Sequence, residues 1–118
     1  MTTAPGVSLG DKPLSDNAAD SYTMPARLYT DPDVFEQEKE VIFAKSWHYI
    51  GHQSHVAKIG DYLTLDIADE SVFVIRSDDN ELRAFFNVCR HRAHRLLEGA
   101  GNTRAIVCPY HAWSYHND

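Results

Sequence analysis

Cys89-Arg90-His91 and Cys108-Pro109-Tyr110-His111 are two short segments that stand on either side of a gap of 16 residues. They use both cysteines of the chain and offer two thiolates and two imidazoles. Two kinds of metal centre match this set of ligands. One is a tetrahedral zinc ion, and the other is a [2Fe-2S] cluster with two Cys ligands on one iron and two His ligands on the other. The candidate ligands are therefore Cys89, His91, Cys108 and His111.

The spacing of these four residues favours the cluster over zinc. Zinc sites with two Cys and two His usually begin with two cysteines about two to four residues apart and end with a pair of histidines. Here each segment contains one Cys and one His. Each segment can therefore give one ligand to each iron of a cluster.

The residues around these ligands resemble the Rieske segment of ring-hydroxylating, non-haem iron oxygenase α-subunits. The resemblance covers residues 24–116. The matching stretches are Tyr29-Thr30-Asp31-Pro32, Trp47, Gly51-His52, Gly60-Asp61-Tyr62, Phe86-Asn87-Val88, Cys89 to Arg92 and Cys108 to Tyr115.

Two alanines separate this sequence from the commonest family pattern. Ala93 and Ala112 stand at positions where the family usually has Gly. Ala93-His94 together with Ala112-Trp113 resembles the branch that includes carnitine monooxygenase. The resemblance therefore makes a quaternary amine a candidate substrate beside an aromatic compound.

The resemblance also implies a fold and a division of the chain. It implies a mainly β protein with an N-terminal helix, in which small antiparallel sheets present two loops that hold the [2Fe-2S] cluster. We expect a tail over residues 1–22 that is disordered, a segment with a helix over 23–46, and a Rieske domain over 47–118 that is incomplete at its C-terminus. The catalytic domain with its mononuclear Fe(II) is then absent, so no catalytic residue is assigned and we expect this chain alone to be inactive.

The leading functional hypothesis is the electron-transfer part of an oxygenase that hydroxylates an aromatic or quaternary-amine substrate with O₂. The resemblance implies a ferredoxin or a flavin reductase as the electron donor, and a homotrimer, or a multiple of one, for the intact protein. A stand-alone Rieske ferredoxin-type electron carrier is the alternative. A zinc-binding interaction module is a third hypothesis.

Composition and charge exclude several other classes of protein. The net charge of −6 argues against nucleic acid as a partner. The sequence has no apolar run near the roughly 18 residues that a membrane span needs. Both cysteines are candidate ligands, so that none remains for a disulfide, and this favours a reducing cytoplasm. Residues 83–95 hold four arginines and no acid. These arginines either pair with local carboxylates or form a basic surface for an acidic electron donor.

Local patterns predict the secondary structure. Asp31-Pro32 is typical of a helix start, and the apolar spacing that follows predicts a helix over 32–46. Alternating apolar residues and the turn Asp78-Asp79-Asn80 predict a strand and then a hairpin. The predicted strands are 47–52, 62–67, 71–76, 82–88, 104–107 and 112–115, with a glycine-rich loop over 98–103.

Other polar and aromatic residues have less specific predictions. Tyr115 is either a donor to a ligand sulfur or a core aromatic. His94 and His116 fall outside the ligand spacing and are expected at the surface or behind the ligands. Another group, His48, His52 and His55, is close in sequence, but we do not expect it to bind the mononuclear iron, which needs two His and a carboxylate.

Overall fold

The structure is a computed structural model that describes residues 17, 19 and 24–118. The chain divides into two compact units, Met1–Ser46 and Trp47–Asp118. The predicted tail over residues 1–22 lies, apart from Asn17 and Ala19, outside the described residues. Among the residues that are described, no helix has the length and apolar character needed to cross a membrane.

The N-terminal unit contains the short helix α1 (Arg27–Thr30) and the longer helix α2 (Pro32–Val41). Asp31 caps α2 as predicted, because its side chain accepts a hydrogen bond from the Asp33 amide (3.0 Å). The predicted end at residue 46 is wrong, since the α-helix stops at Val41 and a 3₁₀ turn follows over Phe43–Lys45. Successive β-branched residues at 41 and 42 crowd the preceding turn, which weakens the helix there.

A four-stranded antiparallel sheet forms the larger part of the second unit. Its strands are β1 (Asp61–Ile67), β2 (Glu70–Arg76), β3 (Leu82–Phe86) and β4 (Ala100–Asn102), in the order β3-β2-β1-β4. A second sheet pairs β5 (Ile106–Val107) with β6 (Ser114–Tyr115). The predicted class, mainly β with small antiparallel sheets and an N-terminal helix, is confirmed for the described residues.

Two predicted segments differ from the structure. The predicted strand over 47–52 pairs with nothing in the sheets, and it leads into a 3₁₀ turn over Gln53–Val56. The predicted loop over 98–103 contains β4, which pairs with β1 through Gly101 opposite Tyr62. A Cβ at Gly101 would lie 2.8 Å from the Tyr62 hydroxyl, so the ring occupies the space that the glycine leaves empty. This glycine therefore belongs to a strand because of its neighbour across the sheet.

The core joins the two sheets. Phe73 and Ile75, which alternate along β2, pack with Ile106 of β5, and all three are at most 2% exposed. The residues that pack around them are Tyr62, Phe85, Leu96, Leu97 and Tyr115. One candidate loop follows β3 and the other connects β5 to β6. Packing of these sheets on one core therefore brings the two loops together.

Candidate metal centre

The two candidate loops have the same backbone hydrogen bonds. In the first loop, the Cys89 amide donates to the His94 carbonyl (2.8 Å) and the Ala93 amide donates to the Cys89 carbonyl (2.8 Å). In the second loop, Cys108 makes the equivalent bonds with Trp113 (2.8 Å) and Ala112 (2.9 Å). The loops are therefore two copies of one turn, and positions at equal distances from each cysteine correspond.

Each turn requires one residue in the left-handed region of backbone space. Ala93 has φ of +53° and Ala112 has φ of +58°. An L-residue with a Cβ is destabilised by about 1–2 kcal/mol in this conformation, whereas Gly adopts it freely. The turn geometry thus explains why Gly is usual at these two positions in the family that the sequence resembles.

The loops place two candidate ligands inside and two outside. Cys89 and Cys108 are each 2% exposed, and Cys108 is one of the groups that lower the pKa of Cys89. His91 and His111 are exposed, and their ring centroids are 4.9 Å apart at an interplanar angle of 70°. The four residues that the sequence singled out therefore form a buried thiol pair and an exposed imidazole pair.

The separation of the thiol pair from the imidazole pair distinguishes between a zinc ion and a [2Fe-2S] cluster. A structural zinc ion needs all four ligands around one point. Among the described residues, no three side chains of His, Cys, Asp or Glu converge on a single ion. A [2Fe-2S] cluster instead takes the two thiolates and the two imidazoles on different irons. Two separate like pairs therefore fit the cluster better than zinc.

Tyr115 of β6 reaches across to the first loop. The Arg90 amide donates to the Tyr115 hydroxyl oxygen (3.0 Å), so the hydroxyl proton is left for the Cys89 sulfur (3.1 Å). This hydrogen bond is the main reason that the pKa of Cys89 is lowered to about 7, with burial acting in the opposite direction. The same contact raises the pKa of Tyr115. Tyr115 also packs against the core, so that it contacts both the Cys89 sulfur and the core cluster.

Asn87, one residue after β3, stabilises the base of the first loop through hydrogen bonds of its side chain. It is 3% exposed and its side-chain oxygen accepts from the amides of Leu96 (3.0 Å) and Leu97 (2.9 Å). Its side-chain nitrogen donates to the Leu97 carbonyl (2.7 Å) and to the Ser71 hydroxyl (3.3 Å). All four hydrogen-bonding positions of the amide are used. Asn87 belonged to the family resemblance, but nothing in the sequence indicated this role.

The arginines of residues 83–95 divide into two groups. Arg83 binds Asp79 through both guanidinium nitrogens (2.6 Å each), and Arg83 is the main reason that the pKa of Asp79 is lowered to about 2. Arg95 binds Asp66 (2.9 Å). Within the described part of the chain, the exposed side chains of Arg90 and Arg92, on either side of His91, have no acidic partner. Pairing with local carboxylates is therefore confirmed for Arg83 and Arg95, and a basic surface for an acidic electron donor stays a prediction for Arg90 and Arg92.

The remaining histidines lie apart from the two candidate pairs. His52 caps the 3₁₀ turn by accepting from the Ser54 amide (3.2 Å), and its ring meets that of His55 edge-on at 6.5 Å. His48, His55 and His116 are exposed. In residues 24–118 none of these belongs to a group that could hold an ion. The structure thus gives no reason to add them to the ligand set.

This geometry and the sequence profile lead to the same class of protein. The profile of the Rieske [2Fe-2S] domain matches residues 46–118 of this chain. The chain belongs to the Rieske [2Fe-2S] domain family, and its cofactor is the [2Fe-2S] cluster.

Curated relatives narrow the comparison within this family. The chain is 48% identical over 103 residues to the carnitine monooxygenase oxygenase subunit of Escherichia coli (strain K12). The matched segment covers 86% of the chain and 28% of that protein. It is 43% identical over 90 residues to the benzene 1,2-dioxygenase subunit alpha of Pseudomonas putida, which covers 75% of the chain and 20% of that protein. Both relatives are oxygenase subunits, which favours the oxygenase hypothesis over a stand-alone ferredoxin-type carrier.

Solved structures agree with the curated relatives. A crystal structure of a quaternary ammonium Rieske monooxygenase with an inhibitor superposes on this chain with a TM-score of 0.79 at 48% identity. The match covers 83% of this chain and 28% of the chain in the crystal structure. Naphthalene 1,2-dioxygenase from Rhodococcus sp., bound to indole, gives a TM-score of 0.74 at 37% identity. This match covers 80% of this chain and 22% of the dioxygenase chain. The chain thus spans less than a third of the length of these relatives.

Proposed function

We propose that Cys89, His91, Cys108 and His111 ligate the [2Fe-2S] cluster, and that the chain is the electron-transfer part of a Rieske oxygenase α-subunit. The observation that carries the proposal is the combination of a buried thiol pair and an exposed imidazole pair on two equivalent loops. No other set of side chains among the described residues combines soft ligands with this division. Residues 47–118 are then the Rieske domain.

The thiol pair and the imidazole pair have different roles in the proposed electron-transfer site. When bound, the cluster accepts and donates one electron. The thiol side is shielded from water by the core and receives a hydrogen bond from Tyr115. His91 and His111 are exposed to solvent, where another redox centre can approach. Electrons therefore enter and leave on the imidazole side.

The substrate is proposed from the relatives. The carnitine monooxygenase subunit and the benzene dioxygenase subunit share 48% and 43% identity with the chain over the matched residues. Their names point to a quaternary amine and to an aromatic ring. We favour the quaternary amine, because Ala93-His94 and Ala112-Trp113 resemble that branch. Hydroxylation itself needs O₂ and a mononuclear Fe(II) site, which we assign to a catalytic domain outside these 118 residues.

Charge supports the proposed electron donor. Between Leu82 and Asn117 the sequence has five arginines and a single acid, although the whole chain carries −6. Arg90 and Arg92 are left to meet an acidic partner, and a ferredoxin or a flavin reductase fits this requirement. By analogy with Rieske oxygenases, we further propose a homotrimer, or a multiple of one, in the cytoplasm.

Replacement of single ligands tests the assignment. We expect Cys89→Ser, His91→Ala, Cys108→Ser and His111→Ala each to abolish the Rieske visible and EPR signals, because each iron has only two protein ligands. His116→Ala, which removes an exposed histidine outside both pairs, is the matched control and should keep the signals. A normal signal in any of the four variants would refute the ligand set. Zinc without acid-labile sulfide in the wild-type protein would support the zinc module instead.

A further inference from the structure

The two loops make the same side-chain contact twice, once in each direction. Trp113 of the second loop stacks on His91 of the first, with ring centroids 4.9 Å apart and planes within 3° of parallel. His94 of the first loop contacts Tyr110 of the second at 5.6 Å and 40°. Trp113 and His94 are both the fifth residue after their cysteine, and His91 and Tyr110 are both the second. The contacts therefore follow from the equivalence of the loops.

The contact of Trp113 bears directly on a proposed ligand. A parallel arrangement at this distance is an offset stack, which is a favoured geometry for aromatic rings. The Trp113 backbone is fixed because its carbonyl accepts from the Cys108 amide (2.8 Å). The indole is therefore held over one face of the His91 ring.

The contact of His94 reaches the other proposed ligand through one intermediate. The His94 Nδ1–H donates to the Arg95 carbonyl (2.7 Å), which holds the ring against Tyr110. Tyr110 in turn packs against His111, with centroids 3.8 Å apart at 36°. Besides the contact between the two imidazoles, each proposed His ligand thus has one Trp or Tyr neighbour on the second loop.

These contacts matter because the plane of a metal-ligating ring has to be fixed by its surroundings. Metal-ligating histidines almost always donate their other ring N–H to a carboxylate, carbonyl or water, which fixes the orientation of the ring. Across the described residues, no protein group is hydrogen-bonded to the ring of His91 or of His111. Among the described residues, ring–ring contact is therefore the restraint that this chain supplies.

We propose that Trp113 and His94 are positioning residues, which fix the ring planes of His91 directly and of His111 through Tyr110. The proposal rests on the ligand assignment made above. It assigns to the fifth residue of each loop a function that the spacing of the ligands does not indicate. Because the two contacts end on different histidines, their effects are separable.

The test compares leucine and phenylalanine variants of the cluster-loaded protein. Trp113→Leu removes the stacked ring, and Trp113→Phe keeps one. We expect Trp113→Leu to change one of the two histidine ¹⁴N couplings in pulsed EPR, to shift the midpoint potential and to speed cluster loss several-fold. Trp113→Phe should restore wild-type values. His94→Leu should change the other coupling, and His94→Phe, which keeps a ring but loses the hydrogen bond to Arg95, should restore part of it.

Trp47→Leu is the matched control, because it removes the other tryptophan, which is fully exposed. Unchanged couplings and potential in both leucine variants would overturn the proposal. A phenylalanine variant that deviates as far as its leucine partner would also overturn it, as would a simultaneous change of both couplings in a single variant. Failure of the ligand assignment is a different result, since it requires His91→Ala or His111→Ala to retain a Rieske signal.

Discussion

At the scale of single residues, Ala93 and Ala112 store backbone strain in the two loops that carry the proposed ligands. We expect Ala93→Gly and Ala112→Gly each to raise the free energy of unfolding by up to about 1 kcal/mol. Glycine removes the cost of the left-handed conformation, which is about 1–2 kcal/mol for alanine. It also raises the entropy of the unfolded chain, which lowers the free energy of unfolding by roughly 0.5–1 kcal/mol, and the first effect is larger. Urea unfolding of the loaded protein measures the difference.

Ala84→Gly is the matched control for these two variants. Ala84 lies in β3 with ordinary strand geometry, so that a glycine there only adds entropy to the unfolded chain. This variant should lose roughly 0.5–1 kcal/mol. A loss of stability in all three variants would show that the loops do not carry this strain.

Asn87 is the residue on which the base of the first loop depends. Asn87→Ala should destabilise the protein by about 3 kcal/mol, because the part-buried amides and carbonyl that are bonded to it lose their partners. Asn102→Ala, which removes an exposed asparagine with two side-chain hydrogen bonds, should cost about 1 kcal/mol or less. Thermal or urea unfolding distinguishes the two. Equal losses would contradict the role assigned to Asn87.

The contrast between Asn87 and the ligands shows what sequence can reveal about a site. Two segments that each pair one Cys with one His, two and three residues apart, were enough to predict the four proposed ligands, because few chemistries need that set. The partners of Asn87 lie 9 to 16 residues away in the chain, and its role arises only when β2 and the first loop pack. The contact of Trp113 with His91 depends in the same way on the packing of the two loops.

At the scale of elements, Gly60 connects three strands at the start of β1. Its amide donates to Arg76 at the end of β2 (2.8 Å), and its carbonyl accepts from Thr103 after β4 (2.9 Å). A Cβ there would lie 2.6 Å from the Thr103 carbonyl oxygen, at a φ of +86°. Gly60→Ala should therefore lower the free energy of unfolding by about 3 kcal/mol or more.

The variant Gly99→Ala separates the two causes of the lower stability expected for Gly60→Ala, which are the positive φ and the close approach of the Cβ to Thr103. Gly99 also has a positive φ, +61°, but a Cβ there meets nothing within 4 Å. Its substitution should cost only the roughly 1–2 kcal/mol of the left-handed conformation. If Gly60→Ala costs no more than Gly99→Ala, close packing against Thr103 is not what requires a glycine at position 60.

The elements also differ in how well sequence predicted them. The first three strands and the turn at Asp78-Asp79-Asn80 were predicted because alternation and turn residues are local signals. The strand β4 was missed, since its three exposed residues have no apolar pattern and pair only because β1 is beside them. The segment 47–52 has strand-like residues but no partner in the sheets. In both cases tertiary pairing, rather than propensity, decides the outcome.

At the scale of the whole molecule, the unpaired arginines beside His91 should control the approach of an electron donor. Arg90→Glu combined with Arg92→Glu should slow cluster reduction by an acidic ferredoxin at least tenfold at low salt. The difference should shrink as the Debye length falls from about 30 Å at 0.01 M to about 8 Å at 0.15 M salt. Stopped-flow absorbance at several salt concentrations measures the rates.

Arg27→Glu combined with Lys45→Glu is the control for this effect, because it makes the same change of charge on the N-terminal unit. It should leave the rate within about a factor of two of wild type, as expected for a charge that does not steer the encounter. If the arginine variant and the control behave alike, net charge rather than the surface beside His91 governs the encounter.

The stack of Trp113 on His91 also makes the chain its own optical probe. The protein has two tryptophans, one stacked over a proposed ligand and the other, Trp47, fully exposed. A cluster absorbs visible and near-ultraviolet light, so it should quench the emission of the indole beside it most strongly. We expect chelation of the iron to brighten the emission of Trp113. In Trp113→Phe the recovery on chelation should be small, and in Trp47→Phe it should remain large. Fluorescence can therefore follow cluster loss from the unlabelled protein in real time.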